Sequence, residues 1–236
     1  IRFVFVDEVQ DYDAFQLAYL KFCFPKARFT LLGDLNQAIF THNNARSLLQ
    51  QLGTMFEPEK TKVIQLTRSY RSTKQITNFT KAILKDGEAI EAFEREGELP
   101  RVLTAPSEED AVNQVVATLA KYQADHDTTA IITKTLTDAE KITALLKEAG
   151  QAVTLIQTEN QRLAQGTIVV PSYLAKGLEF DAVIVWDANQ AKYQGDAERQ
   201  LVYTICSRAM HALTVTSVGP VTDLIGQIPG ELYQTK

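Results

Sequence analysis

Short runs rich in β-branched residues alternate with segments of helical periodicity along almost the whole chain. Candidate strands fall at 2–6, 29–32, 62–66, 101–104, 129–133, 152–156, 167–170, 182–186 and 213–218. Several are apolar on both faces, as buried parallel strands tend to be. Between them, Ser107 and Asp110 predict a cap ahead of Val112, Val115, Val116 and Leu119. Thr137 and Glu140 predict another ahead of Ile142, Leu145 and Leu146, with Gly150 as the stop. Ser72 or Thr73 suits the start of a helix carrying Ile76, Phe79 and Ile83. Strands alternating with helices constrain the chain to an α/β fold with mostly parallel sheets.

The polar, proline-bearing stretch FEPEKTK at 56–62 predicts a boundary near residue 60. Residues 1–60 are too few for a complete doubly wound domain and are expected to be the second half of one. Residues 61–236 are expected to form a whole lobe. The 236 residues have room for both, and 45% hydrophobic with 22% charged residues is a globular composition. No apolar run approaches the ~20 residues that span a bilayer. Cys23 and Cys206 are the only cysteines, without metal-ligand spacing, which fits a reducing, cytoplasmic setting and no zinc site. A net charge of −5 counts against strong autonomous DNA binding, while leaving room for a local basic groove.

The apolar run VFV at 4–6 leads directly into Asp7 and Glu8. Ligands of open α/β sheets bind beyond the carboxyl ends of strands. One carboxylate there can hold Mg²⁺, and its neighbour can orient or deprotonate a water. The same residues also suit the first turn of a helix, where acidic side chains meet the dipole. FTLLGDLNQAIF at 29–40 is a second apolar run ending in Gly-Asp, with Gln37 placed to sense a γ-phosphate, or simply to sit in a polar turn. IQLTRSYRST at 64–73 offers Arg71 as a charge stabiliser and Tyr70 as a stacking ring, or else a surface pair. The loop before the run at 182–186 holds Lys176, Gly177 and Glu179. Arg208 falls near a predicted helix end, where a dipole role is the plain alternative.

Together, DEVQD, GDLNQAIF, RSYRS, AKGLEFD and YTICSRAMHAL resemble motifs II to VI of the UvrD/Rep-like superfamily 1 helicases, in family order. The resemblance implies RecA-like, P-loop NTPase-type lobes with ATP in the cleft between them. It implies that Asp7 binds Mg²⁺, Glu8 is the general base and Gln37 contacts the γ-phosphate and attacking water. It further implies that Tyr70 stacks on adenine and that Arg71 and Arg208 reach the γ-phosphate. Gly177 and Glu179 would lie by the nucleotide, with Glu179 near the ribose.

The family's Walker A motif, G-x-x-x-x-G-K-[ST], is not in the sequence. The expectation is therefore a C-terminal motor portion that is inactive alone and partnered by an upstream Walker A-bearing lobe. His42 and Asn43 stand where translocating members carry an aromatic-arginine pair, and Pro171 and Tyr173 replace the usual threonine and histidine before AKG. These departures, with the absence of a large insertion in the second lobe, resemble the helicase IV/HelD branch. The expected partner is thus DNA or, in the alternative, an RNA polymerase recycled without DNA unwinding.

Overall fold

A computed structural model describes residues 1–34, 52–158 and 165–235. The chain divides into two compact units, residues 1–66 and 67–236.

In the first unit, β1 (Phe3–Val6) pairs in parallel with β2 (Arg28–Leu31), Val4 opposite Phe29 and Val6 opposite Leu31. The connection is α1 (Ala14–Cys23). Its start is fixed by a capping box: the Gln16 N–H donates to Asp13 Oδ1 at 2.7 Å, and the Asp13 N–H donates to Gln16 Oε1 at 2.9 Å. Leu17 from this helix is buried with Val6 and Val9, and Val4, Leu20 and Leu31 close around them.

The second unit begins with a two-residue parallel ladder, β3 (Arg68–Ser69) on β4 (Glu91–Ala92), with α2 (Lys74–Lys81) between them. Then follow β5 (Arg101–Ala105), α3 (Glu108–Asp125), β6 (Thr128–Thr133), α4 (Leu136–Glu148), β7 (Val153–Leu155) and β8 (Gly166–Pro171). The series ends with β9 (Phe180–Val185), α5 (Arg199–Cys206), β10 (Ala209–Val218) and α6 (Asp223–Gly226). Six of these strands form one parallel sheet in the order β5-β10-β9-β6-β8-β7.

Neighbouring residues of β6 and β9 point to opposite cores, which is why Ala130–Ile132 and Ala182–Val185 are apolar at every position. Ile132, Val183 and Val185 join Ile76, Phe79, Val202 and Ile205 on the face covered by α2 and α5. Ile131, Ala182 and Ile184 join Val115, Leu119, Ile142 and Leu146 on the face covered by α3 and α4. Each fully buried Val, Leu or Ile contributes about 1.5–3 kcal/mol.

Two local expectations are corrected. No strand forms over 62–66: Val63, Ile64 and Leu66 are exposed and the ladder begins at Arg68. β-Branched residues favour an extended backbone, but only a partner edge makes it a strand. The cap of α4 is Thr135, whose hydroxyl accepts the Asp138 N–H at 3.1 Å, not Thr137, which lies inside the first turn. At α2, Thr73 occupies the cap position without a side-chain bond, and the Ser72 hydroxyl instead donates to the Ala209 carbonyl at 2.6 Å. The Ser107 cap forms as expected, its hydroxyl accepting the Asp110 N–H at 3.1 Å. Gly150, at φ +78, ends α4 in the left-handed region expected of a helix stop.

Candidate functional site

The carboxyl end of β1 turns sharply at Glu8, whose φ of 51 and ψ of 43 are left-handed, uncommon for a residue with a side chain. The turn leaves Asp7 exposed at the strand end and Glu8 half-buried beside it. Asp7 Oδ1 accepts the Glu8 N–H at 2.8 Å. Behind them Gln10 is only 2% exposed and joins two loops. Its Nε2 donates to Glu8 Oε2 at 2.5 Å, and its Oε1 accepts the Asp34 N–H at 3.1 Å. Gly33 leaves no alternative there: a Cβ would lie 2.3 Å from Gln10 Oε1 and 2.9 Å from Val9 Cγ1. Gln10 is the residue that sequence reasoning passed over; its position inside DEVQD was the available signal.

Among the described residues no group of three His, Cys, Asp or Glu gathers into a metal-binding cluster. Mg²⁺ is commonly held by one or two carboxylates together with substrate phosphates rather than by an all-protein cage. Asp7, exposed at a strand end, fits such a role. Gln37, His42 and Asn43 lie outside the described residues.

In the second unit, three segments far apart in sequence lie side by side. The Ser72 hydroxyl reaches the Ala209 carbonyl, and the Thr73 N–H donates to the Met210 carbonyl at 3.0 Å. The Phe180 N–H donates to the Arg208 carbonyl at 3.0 Å. On this frame Arg71 Nε donates to Glu179 Oε1 at 2.5 Å, with both side chains partly exposed. Arg208 is 1% exposed; its Nε donates to the Thr204 carbonyl at 3.0 Å and its Nη1 to the Leu178 carbonyl at 3.2 Å. The two arginines therefore meet adjacent residues, Leu178 and Glu179. Arg208 also serves the C-terminal turn of α5 through Thr204, a favourable place for a cation. Gly177 sits at φ +75 with nothing within 4 Å of a built Cβ, so its backbone angle, not space, calls for glycine.

Tyr70 stands 59% exposed next to Arg71, its ring centroid 5.1 Å from that of Phe93 with planes tilted by 42°. An exposed ring of this kind can stack on a flat base.

At the carboxyl ends of β6 and β9 the charges are matched internally. Lys192 Nζ lies 2.6 Å from Asp138 Oδ1 and 3.0 Å from Asp187 Oδ2, and Lys134 Nζ lies 2.9 Å from Glu198 Oε1. Asp187 Oδ1 accepts the Asn189 amide and the Val218 N–H, each at 2.9 Å. For Asp138, burial favours the neutral acid, but hydrogen bonds from Lys192 and Thr135 outweigh it and hold the carboxyl below its ordinary range. For Lys192, burial opposes the charge, and bonds to Asp138 and Asp187 nevertheless raise the ammonium above its ordinary value. Nothing in the spacing of these residues announces the cluster.

The UvrD/REP helicase N-terminal domain model matches residues 1–57, and the UvrD-like helicase C-terminal domain model matches residues 168–216. The crystal structure of the C-terminal domain of a possible DNA helicase from Lactobacillus plantarum WCFS1 is 56% identical, with a TM-score of 0.64. That match covers 71% of this chain and 98% of the other. Saccharomyces cerevisiae Dbp5 bound to RNA and ADP BeF3 superposes with a TM-score of 0.60 over 98% of this chain and 56% of its own, at 13% identity. At that identity the likeness shows a shared RecA-like helicase fold alone. No curated protein matches the sequence.

Proposed function

Because this chain belongs to the UvrD-like helicase family, we propose that it supplies the ATP-handling carboxylates and arginines of an ATP-dependent DNA helicase or translocase. The observation that carries the reading is the meeting of Arg71 and Arg208 on adjacent residues Glu179 and Leu178, beside the exposed ring of Tyr70. Phosphoryl transfer needs a metal, a positioned water and positive charge around the γ-phosphate. When bound, Mg²⁺ supplies charge neutralisation on the β- and γ-phosphate oxygens.

In this reading Asp7 holds the metal and Glu8 takes the proton of the attacking water. Gln10 keeps the Glu8 carboxylate in one orientation through its amide. Tyr70 stacks on the base, Gly177 and Glu179 lie by the nucleotide with Glu179 near the ribose, and Arg71 offers its guanidinium to the γ-phosphate. Arg71 must exchange Glu179 for phosphate to do so. Arg208 secures the backbone at Leu178 and adds positive charge from within. Gln37 would orient the water. Residues 1–60 would belong to one RecA-like lobe and 61–236 to the next.

A titration of the full chain with Mg²⁺-ATP, followed by NMR, tests the reading. Resonances of Tyr70, Arg71 and Gly177 should shift, and Arg71→Ala should weaken the effect. An unchanged spectrum at all three would refute it. The sequence carries no G-x-x-x-x-G-K-[ST], so ATP turnover by this chain alone is not expected. Mg²⁺-dependent turnover abolished by Glu8→Gln would contradict that.

The internal pairing of Lys134 and Lys192 is compatible with a second reading of the nucleic-acid side. Cations already matched to Glu198, Asp138 and Asp187 grip a phosphate backbone weakly. An ATPase arm of an RNA polymerase-associated factor of the helicase IV/HelD kind would tolerate this. Single-stranded DNA binding by the chain favours the helicase; retention on RNA polymerase without it favours the alternative.

A further inference from the structure

We propose that Phe93 and Arg95 are positioning residues that hold Tyr70 and Arg71 in the geometry in which they receive a nucleotide, a proposal that rests on the nucleotide reading above. The segment from Glu91 to Gly97 is tied to the segment from Arg68 to Gln75 residue by residue. Glu91 and Ala92 pair with Arg68 and Ser69, and the Phe93 N–H donates to the Ser69 carbonyl at 3.2 Å. Arg95 Nη1 donates to the Arg71 carbonyl at 3.1 Å, and the Arg95 carbonyl accepts the Lys74 N–H at 2.7 Å. The Gly97 N–H donates to Gln75 Oε1 at 2.8 Å, and a Cβ on Gly97 would lie 2.5 Å from Thr73 Cγ2, so the two segments are in close contact.

The side chains of Phe93 and Arg95 bear on Tyr70 and Arg71 differently. Phe93 is 37% exposed, yet its ring lies against that of Tyr70. A ring with one free face and one supported face is prepared to stack without losing further rotamer freedom. Arg95 acts on the Arg71 backbone, leaving the Arg71 guanidinium to side-chain partners. Neither residue belongs to the RSYRS stretch.

NMR of the full chain tests this before any ligand is added. In Arg95→Ala the Arg71 Nε–H resonance should broaden and lose its protection from exchange, and Arg95→Lys should restore part of it. In Phe93→Ala the Tyr70 ring should gain mobility, and Phe93→Tyr should restore order. Unchanged Arg71 and Tyr70 signals in both alanine variants would overturn the proposal. Mg²⁺-ATP is then titrated. Each alanine variant should bind about threefold to tenfold more weakly, the span of an aromatic pair or one hydrogen bond. Adding Phe93→Ala to Tyr70→Ala should cost little more than Tyr70→Ala alone. Equal and additive losses would overturn the positioning role. If the parent chain shows no ATP-dependent shift, the nucleotide reading falls, while the ligand-free spectra still judge Phe93 and Arg95.

Discussion

Gln10 and Glu8, two residues apart on the same turn, share a hydrogen bond of 2.5 Å from the Gln10 amide to the Glu8 carboxylate. The other end of the same amide holds the Asp34 N–H at 3.1 Å. One buried side chain thus fixes both the acidic turn after β1 and the Gly-Asp turn after β2. Gln10→Leu, close in size, should lower the stability of the first unit by about 1–3 kcal/mol, because it strands the part-buried Asp34 N–H and removes a carboxylate partner. Chemical denaturation followed by signals of the first unit measures this. An unchanged midpoint would show that solvent replaces both bonds.

Gly33→Ala should be destabilising by a separate route. Its Cβ would meet Gln10 Oε1 at 2.3 Å and Val9 Cγ1 at 2.9 Å, so either the amide bridge or the valine must move. Overpacking of this kind costs about 1–3 kcal/mol. Combining Gly33→Ala with Gln10→Ala should recover part of the loss, since it removes the nearer clash. Strictly additive losses would contradict the shared contact.

Arg208→Ala should cost far more stability than Arg71→Ala, although the two arginines meet adjacent residues. Arg208 is buried and carries two backbone carbonyls, Thr204 and Leu178. Its loss leaves these groups short of a donor and opens a cavity, about 3–5 kcal/mol in all. The Arg71–Glu179 pair is partly exposed, 34% and 42% by side chain, and its removal should cost under about 1 kcal/mol. Thermal melts of the two variants decide. Similar losses would mean that Arg208 is not the strut described.

Stability should fall at both ends of the pH scale, for different groups. Asp138 has its carboxyl held below the ordinary range, so its contribution is present above the ordinary carboxylate value and is lost as pH drops through the lowered one. Lys192 is raised, so its contribution is present below the ordinary lysine value and is lost as pH climbs through the raised one. Burial pushes the Cys206 thiol up to about 12. The unfolded thiol ionises first, so stability declines from roughly pH 8.5 upward until the buried thiol also ionises. Cys206→Ala and Lys192→Met should each flatten the alkaline fall in melting temperature, and Asp138→Asn should blunt the acid limb. A Cys206→Ala profile parallel to the parent's above pH 9 would contradict the burial argument.

The sequence by itself determined the α/β alternation, because apolar runs covered on both faces and capped helical segments each follow from side-chain chemistry and local backbone preference. It placed strands at 101–104 and 129–133 close to β5 and β6, and the Ser107 cap on its residue. It also singled out Asp7, Glu8, Tyr70, Arg71, Gly177, Glu179 and Arg208, because carboxylates and arginines at strand ends are chemically conspicuous. Local chemistry alone misjudged 62–66, where an extended apolar run lacks a partner edge, and Thr137, two residues past the true cap.

Tertiary structure alone decided what each conspicuous residue touches. Arg71 meets Glu179, Arg208 meets Leu178, and Ser72 meets Ala209 because strand order brings those three segments together, and strand order is not written in any one segment. The same holds for the quiet partners. Phe93, Arg95, Lys134 and Lys192 carry no motif in sequence, and Gln10 is only one letter of DEVQD. They gain roles only because folding fixes a specific donor, acceptor or ring within reach. Hydrogen bonds and ion pairs act over a few ångströms, so a pattern along the chain cannot specify them until the sheet has set the distances.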